Sequence, residues 1–137
     1  MSGKPLKFWV EGTPIAKGRP RKGKYGAFYT PAKTRLWEER VAIQAKMTAR
    51  WVVFEKEPLR VSLKFYFKHP KSHSKARKQE TAHMVKPDID NLCKAVIDAM
   101  NGIVFTDDRQ IVELWVRKEY SLYESEGVRV EVQEEVK

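Results

Sequence analysis

The nine residues from Leu59 to Phe67 alternate apolar and polar side chains without a break. In PLRVSLKFYFK, the Leu, Val and Phe residues occupy every second position, and Arg, Ser, Lys and Tyr stand between them. Successive side chains of a strand point to opposite faces of a sheet. A period of two over this length therefore predicts a strand with one buried and one exposed face.

Three further segments alternate in the same way and predict further strands. The first is KPLKFWVEG, where Leu6, Phe8 and Val10 alternate with Lys7, Trp9 and Glu11. The others are RQIVELWVRKEY and GVRVEVQEEV, which are separated by SLYESEG. We therefore expect a sheet of four or more strands.

Two helices are predicted beside the strands. The first begins at Thr30-Pro31, because Thr is a good N-cap and Pro suits the first turn, and it runs to about Arg50. It carries an apolar face at helical spacing, formed by Trp37, Val41, Ala45 and Thr48. We interpret Trp37 as a core residue rather than as a base-stacking residue.

The second helix runs from about Ile89 to Asn101 and ends at Gly102, because glycine favours the C′ position. The next residues, IVF, are expected to form a short buried crossing. With 137 residues, no internal repeat and no linker, residues 1–137 form one domain. The fold class predicted is a small α+β domain with a mixed sheet and about two helices.

Composition restricts where such a chain acts. No run of about 18 apolar residues exists, so no membrane helix is expected. The N-terminus lacks the apolar stretch of a signal peptide. The single Cys93 cannot form an internal disulfide, which agrees with a reducing compartment. We expect a cytoplasmic protein.

Charge is divided unevenly along the chain. Residues 1–87 hold 21 Lys and Arg against 6 Asp and Glu, a balance of +15, and residues 88–137 hold 6 against 12, a balance of −6. This asymmetry indicates a surface that faces a polyanion beside a separate acidic feature. A solvated basic exterior is the plain alternative.

The acidic feature is concentrated in VKPDIDNLCKAVIDAMNGIVFTDDRQ, residues 85–110. If extended backbone continues past Pro87, Asp88 and Asp90 share a face, since side chains two apart in a strand do so. From a helix start near Asp90, Lys94 lies one turn on. The pair Asp107-Asp108 follows where the chain turns back, so two segments could direct carboxylates at one point.

Clustered carboxylates suit a hard divalent cation such as Mg²⁺, which prefers oxygen ligands. We therefore predict metal binding by Asp88, Asp90, Asp107 and Asp108. A bound metal would remove the repulsion between them and could hold a scissile phosphate. Lys94 would then be an electrostatic partner of the phosphate or a leaving-group donor.

Simpler roles compete with this hypothesis. One acid of the first pair could cap the helix, and Asp107-Asp108 could be turn residues. Each explanation needs one carboxylate and leaves the others unexplained. An EF-hand calcium loop is excluded, because its fifth and sixth positions would be Leu92 and Cys93.

Other reactive groups are given structural roles. Cys93 is expected to pack within the helix. His69 and His73 share helical spacing, but Pro70 and the polar surroundings make a zinc site improbable.

Two cationic segments are candidates for binding DNA phosphates. The first is TPIAKGRPRKGKYGAFYT, residues 13–30, which we interpret as a loop or flexible arm. The second runs from Lys68 to Lys86 and lacks apolar periodicity, which predicts a mobile loop. Aromatic residues close behind the cations of the first segment could stack on bases or wedge at a branch point, namely Tyr25, Phe28 and Tyr29. The proposed phosphate contacts are Lys17, Arg19, Arg21, Lys22, Lys24, Lys71, Lys75, Arg77, Lys78 and Lys86.

The stretch KPDIDNLCKAVIDAMNG followed by DDRQ resembles the signature of the RusA-type Holliday-junction resolvases, found in bacteria and commonly in prophages. The resemblance implies a Mg²⁺-dependent homodimeric endonuclease, with Mn²⁺ as a substitute metal, that nicks four-way DNA junctions symmetrically. It implies that Asp88, Asp90 and Asp108 are catalytic metal-binding carboxylates and that Lys94 is the essential lysine. Asp107 is held as secondary, and Asp98 is expected to orient Lys94.

The long cationic insertion from Lys68 to Lys86 departs from the family pattern and leaves DNA engagement open. Two other functions remain as alternatives. One is a nuclease of the same chemistry that acts on branched DNA with less selectivity. The other is a DNA-binding module whose carboxylates have structural work only.

Overall fold

A computed structural model describes residues 5–18, 21–22, 28–29, 31–50, 53–123 and 125–135. The strands are β1 (Leu6–Glu11), β2 (Arg21–Lys22), β3 (Phe28–Tyr29), β4 (Leu59–Phe67), β5 (Ile111–Tyr120) and β6 (Gly127–Glu134). The helices are α1 (Ala32–Ala49) and α2 (Ile89–Met100). Two short 3₁₀ turns, Arg77–Gln79 and Asp108–Gln110, complete the described elements.

The four long strands form one sheet in the order β1-β6-β4-β5. Strand β6 is antiparallel to both of its neighbours, whereas β4 and β5 are parallel. Parallel neighbours need a crossover connection, and α2 lies on it. All four strands were predicted from their alternation, and this order makes β5 an edge strand.

The apolar faces of the strands meet both helices on one side of the sheet. On β4, Leu59, Val61, Leu63 and Phe65 are fully buried. Val41 of α1 and Val96 of α2 are fully buried in the same core cluster. Helix α1 packs on β1 and on α2, and α2 also contacts β5. The predicted α+β fold is confirmed.

Helix α1 matches its expected face. Trp37 is 4% exposed and belongs to the core, as predicted. Thr48 is half-buried, and its hydroxyl donates to the Gln44 carbonyl at 2.9 Å. The helix is preceded by Pro31 at the N-cap position. The predicted cap, Thr30, lies outside the described residues.

Helix α2 ends as its sequence predicts. Asn101 is the C-cap residue, and Gly102 follows with φ of +79°, a conformation that glycine adopts without the strain a side chain would add. The expected buried crossing also forms, because Val104 and Phe105 are fully buried. Phe105 makes a bridge with Phe54, which joins this crossing to the segment before β4.

The cationic segments contain more structure than their polar composition indicated. Strands β2 and β3 form a short antiparallel pair within the predicted arm. The segment from Lys68 to Lys86 is anchored by its histidines, since His69 stacks on Tyr120 and His83 stacks on Phe67. His69 Nδ1 and His73 Nδ1 share a hydrogen bond at 2.9 Å.

Neither α1 nor α2, nor any other helix in the described ranges, is long and apolar enough to cross a membrane.

Candidate active site

The first pair of carboxylates lies where the chain enters α2. Asp88 occupies the N-cap position with extended backbone, yet its side chain makes no capping hydrogen bond within the described part of the chain. Asp90 lies in the first turn, and its Oδ1 accepts from the Asn91 amide at 3.0 Å. Both side chains are exposed. Helix capping therefore does not account for the carboxylate of Asp88.

The second pair divides its work between the two residues. Asp107 Oδ1 accepts from the Arg109 amide at 2.9 Å, and the Asp107 amide donates to Gln110 Oε1 at 2.9 Å. These bonds form a capping box around the 3₁₀ turn. Asp107 is thus a turn residue, as the simpler interpretation proposed, whereas Asp108 is the first residue of the turn itself.

Asp90 and Asp108 come from these separate segments and line the same cleft. The cleft has a volume of about 460 Å³ and also contains Lys94 and Asp98. Its remaining wall is apolar and comes from α2 and β5, namely Ile89, Cys93, Ile97, Leu114 and Val116. Asp88 and Asp107 are not among the lining residues. The structure therefore brings together Asp90, Asp108 and Lys94 of the predicted site.

The donor set of this cleft suits Mg²⁺. Among the residues described, no three His, Cys, Asp or Glu side chains form a group that could hold a metal ion by themselves. Mg²⁺ is usually held by one or two carboxylates together with water and substrate phosphates. The carboxylates of Asp90 and Asp108, with Asp88 at the entrance to the same helix, fit that mode of binding.

Lys94 is held by a chain of ion pairs. Its Nζ lies 3.6 Å from Asp98 Oδ2, one helical turn away, which agrees with the expectation that Asp98 orients it. The same oxygen lies 3.3 Å from Lys17 Nζ, which also donates to Glu38 Oε1 at 2.6 Å. Burial lowers the pKa of Lys17, but its hydrogen bonds to Glu38 and Asp98 prevail and raise that pKa. Because its ammonium is already paired twice, we leave Lys17 out of the proposed DNA surface.

Sequence reasoning missed Lys118, which fixes the approach to Asp88. Its Nζ donates to the carbonyl of Val85 at 2.6 Å and to that of Pro87 at 2.7 Å. The Lys86-Pro87 peptide bond between them is cis. A signal for Lys118 exists in the sequence, since it stands at the position of β5 where the alternation calls for an inward apolar side chain.

Gln110 was part of the quoted motif, but sequence reasoning gave it no role. Its Nε2 donates to the Phe54 carbonyl at 3.3 Å and to the Glu57 carbonyl at 3.1 Å. With its Oε1 bound to the Asp107 amide, this side chain ties the turn to the segment before β4. Gln110 therefore positions the backbone that carries Asp108.

Cys93 lines the cleft without being a nucleophile. The residue is 6% exposed, and burial raises the pKa of its thiol to about 11, with the charge of Asp90 adding to the shift. The thiolate is the reactive form of cysteine, so Cys93 is inert near neutral pH. This agrees with its predicted role in packing.

The predicted DNA contacts fall into three groups. Exposed cations of the second segment are Lys71, Lys75, Arg77, Lys78 and Lys86. Arg21 and Lys22 lie in β2, where the backbone alone is described. Arg19, Lys24 and Tyr25 lie outside the described residues.

Comparisons with known proteins identify the family of this chain. Residues 11–133 match the family described as Endodeoxyribonuclease RusA. The chain is also 37% identical to the uncharacterized protein YqaN of Bacillus subtilis strain 168, over an alignment of 137 residues that covers 93% of each chain. The family match spans most of the chain and includes both carboxylate pairs and Lys94. The chain therefore belongs to the RusA endodeoxyribonuclease family.

Proposed function

We propose that this protein is a Mg²⁺-dependent endonuclease that nicks four-way DNA junctions symmetrically as a homodimer. The observation that carries the proposal is the shared cleft of Asp90 and Asp108, with Lys94 beside them. Membership of an endodeoxyribonuclease family supports phosphodiester cleavage as the reaction of this cleft. Mn²⁺ is the expected substitute metal.

The carboxylates have the role of binding the metal. Asp90 and Asp108 would hold it within the cleft, and Asp88 would contribute from the N-cap position, where its side chain has no capping duty within the described chain. When bound, Mg²⁺ supplies Lewis-acid chemistry at the scissile phosphate. Without the metal, the carboxylates would repel the negatively charged phosphodiester. The bound metal offsets that repulsion.

Lys94 acts on the phosphate from the helix. Its side chain is 61% exposed and its Nζ is oriented by Asp98, so it can reach a nucleic acid in the cleft. There Nζ donates a hydrogen bond to a phosphate or leaving oxygen and compensates the negative charge that develops. The remaining wall of the cleft is apolar and includes Leu114 and Val116.

DNA is held through the exposed cations of the Lys68–Lys86 segment. Lys71, Lys75, Arg77 and Lys78 lie close together in sequence, and all four are exposed. Each phosphate contact steepens the dependence of log affinity on log salt by roughly 0.9. A two-fold homodimer would match the approximate two-fold symmetry of a four-way junction and place one site at each of two strands.

The test compares cleavage of a labelled four-way junction, a Y-shaped DNA and a linear duplex at one salt concentration. Each substrate is incubated with Mg²⁺, with Mn²⁺ or with EDTA. The wild-type protein should nick the junction symmetrically with either metal and be inactive in EDTA. Asp90→Asn should bind the junction without cutting it, because a metal ligand is lost and the DNA surface is kept.

The outcomes separate the proposal from its alternatives. Cleavage of the junction by Asp90→Asn at the wild-type rate would remove the assigned site. Equal rates on all three substrates would indicate a less selective nuclease of the same chemistry. Junction binding without cleavage by the wild-type protein, in either metal, would indicate a binding module.

A further inference from the structure

Strand β5 exposes apolar side chains at the edge of the sheet. Val112 is 58% exposed, Leu114 is 46% exposed and Trp115 is 51% exposed. An edge strand of ten residues also presents unpaired backbone groups, which proteins usually cover, shorten or charge. This strand is long and exposes apolar side chains beside its charged ones, so a second strand is expected to pair with it.

The backbone shows which groups of β5 face outward. The Tyr120 amide donates to the Thr81 carbonyl at 2.7 Å, and Thr81 lies outside the sheet. Outward and inward backbone groups alternate along a strand. Leu114 and Val116 therefore present their amides and carbonyls to the open edge, whereas Val112 lies at a register shift between β4 and β5 that interrupts the alternation. The segment at Thr81-Ala82 covers the edge from Glu119 onward, since Ala82 bridges Glu119.

Among the registers that place residue 113, 115 or 117 on the two-fold axis, charge favours one for pairing β5 with a second copy of itself. With Trp115 on the two-fold axis, Glu113 of each chain lies opposite the partner's Arg117. Moving the axis to residue 113 or 117 places Glu113 against the partner's Glu113, or Arg117 against the partner's Arg117. Directly opposed opposite charges stabilise antiparallel strands, and like charges destabilise them.

The backbone agrees with this register. When Trp115 lies opposite the partner's Trp115, Leu114 faces the partner's Val116 across the edge. Both residues have outward backbone groups, so they form a hydrogen-bonded pair, whereas the tryptophans form a close pair without hydrogen bonds. Aromatic pairs and apolar pairs across strands each add stability.

We propose that two copies of this chain pair β5 with β5 in antiparallel fashion, around a two-fold axis at Trp115, and so join their sheets into one of eight strands. The inference rests on the homodimer of the proposed function and names its interface. Within one chain, Glu113 already pairs with Arg60, and Arg117 pairs with Glu119. Across the axis these pairs join into a row of alternating charges.

This interface bears directly on the cleft. A two-fold axis between antiparallel strands of one sheet is perpendicular to that sheet, so both helix layers lie on the same side. Leu114 and Val116 line the cleft and also form the pairs next to the axis. The dimer therefore places two carboxylate clefts on one face, on either side of the axis. Two sites on one face can reach two strands of one junction.

The first experiment measures mass in solution by light scattering after size exclusion, without DNA or metal. The wild-type protein should have twice the 16.0 kDa chain mass. Glu113→Arg and Arg117→Glu should each be monomeric, because each opposes like charges twice across the axis. The double variant Glu113→Arg/Arg117→Glu should restore the dimer. A wild-type monomer, or single variants that stay dimeric, would overturn the proposal.

The second experiment cross-links the axis in a Cys93→Ala background. In Trp115→Cys, the two Cα atoms would lie about 4.5 Å apart, which a disulfide spans. In the matched control Glu113→Cys, the new thiols lie about four residues apart along the strands, roughly 13 Å, which a disulfide cannot span. Mild oxidation should give a covalent dimer for Trp115→Cys alone. Equal cross-linking of both variants, or of neither, would reject this register.

Failure of the interface is distinguishable from failure of the proposed function. Junction cleavage by a protein that neither cross-links at residue 115 nor responds to the charge changes would reject the interface and keep the nuclease. Conversely, suppose that Trp115→Cys forms a covalent dimer but neither this variant nor the wild-type protein cleaves any DNA. That result would reject the nuclease and keep the interface.

Discussion

The two corners that carry the carboxylates are built by opposite means. We call residues 85–90 the helix corner and residues 107–110 the strand corner. At the strand corner an acid builds the turn, since Asp107 caps it and Asp108 is left for the cleft. At the helix corner neither acid caps the helix, and Lys118 from β5 holds the backbone by two carbonyls.

This difference shows that an acidic motif does not reveal which of its acids are structural. The sequence has two Asp pairs of similar appearance, yet only Asp107 forms a capping box within the described residues, while Asp90 Oδ1 accepts one bond from the Asn91 amide. At the helix corner, where no acid caps the backbone, Lys118 from β5 holds the backbone instead.

The largest effect is expected from a comparison of Asp108→Asn with Asp107→Asn. The loss of a metal-binding carboxylate at Asp108 should lower junction cleavage by more than about 100-fold, beyond the loss typical of outer-shell partners. Asp107→Asn keeps a good capping side chain and should cleave within a few-fold of wild type. Single-turnover rates with saturating Mg²⁺ provide the measurement. Similar losses in both variants would contradict the division at the strand corner.

A smaller effect is expected when the helix corner loses its anchor. Lys118→Met keeps most of the side-chain volume and removes both hydrogen bonds to the backbone before Asp88. We expect cleavage to fall by about 10- to 100-fold, with a higher Mg²⁺ concentration needed for half-maximal rate, as for partners that orient metal ligands. Lys118→Arg should recover part of the loss. An unchanged Mg²⁺ dependence in Lys118→Met would show that the anchor does not position the carboxylates.

Stability should show the reverse order at the strand corner. Asp107→Ala removes the cap and should lower the free energy of unfolding by about 1 kcal/mol. Asp108→Ala makes no such change at the cap and should cost less, although it abolishes cleavage. Urea unfolding of both variants gives the comparison. An equal loss of stability in the two variants would count against the capping role.

The smallest effect concerns pH and the segment that leads to the helix corner. Burial lowers the pKa of His83, and the charge of Lys118 lowers it further. The neutral form is thus favoured by folding, so the contribution of His83 is complete above its ordinary pKa of 6.5 and is lost as pH falls below it. The melting temperature should fall between pH 7.5 and about 5.5.

His83→Phe is the control for that pH effect. It keeps an aromatic ring against Phe67 but cannot ionise, so its melting temperature should fall less over the same interval. A fall of the same size in this variant would place the titrating group elsewhere.

Most of the strands and helices could be predicted from periodicity. Burial of one face repeats apolar residues every second position in a strand and about every 3.6 positions in a helix. Strand β4 and the face of α1 with Trp37 are examples. The order of the strands did not follow, since alternation records which face is buried and not which neighbour is paired. The parallel pairing of β4 and β5 became visible in the structure alone.

The candidate site was predictable as a set of residues and not as an arrangement. Spacing indicated that Asp90 and Lys94 share a helix, and the motif added Asp108. The motif could not show that Asp107 bonds to its own turn, because an Asp that caps a turn and an Asp that binds a metal are the same residue type in a sequence. Lys118 stands out in the alternation of β5, but its role could not be predicted, since its partners are backbone carbonyls that leave no mark in the sequence.

The parallel pairing of β4 and β5 has a consequence for how this enzyme could be altered. The chain leaves the sheet after Phe67 and returns at Ile111, and the insertion from Lys68 to Lys86 lies entirely within that excursion. Apart from the bridge between Ala82 and Glu119, this segment lies outside the ladder, and lengthening its loop would cost little. With the DNA contacts proposed for this segment, we expect that grafting it between relatives would change substrate preference while the framework stays unchanged.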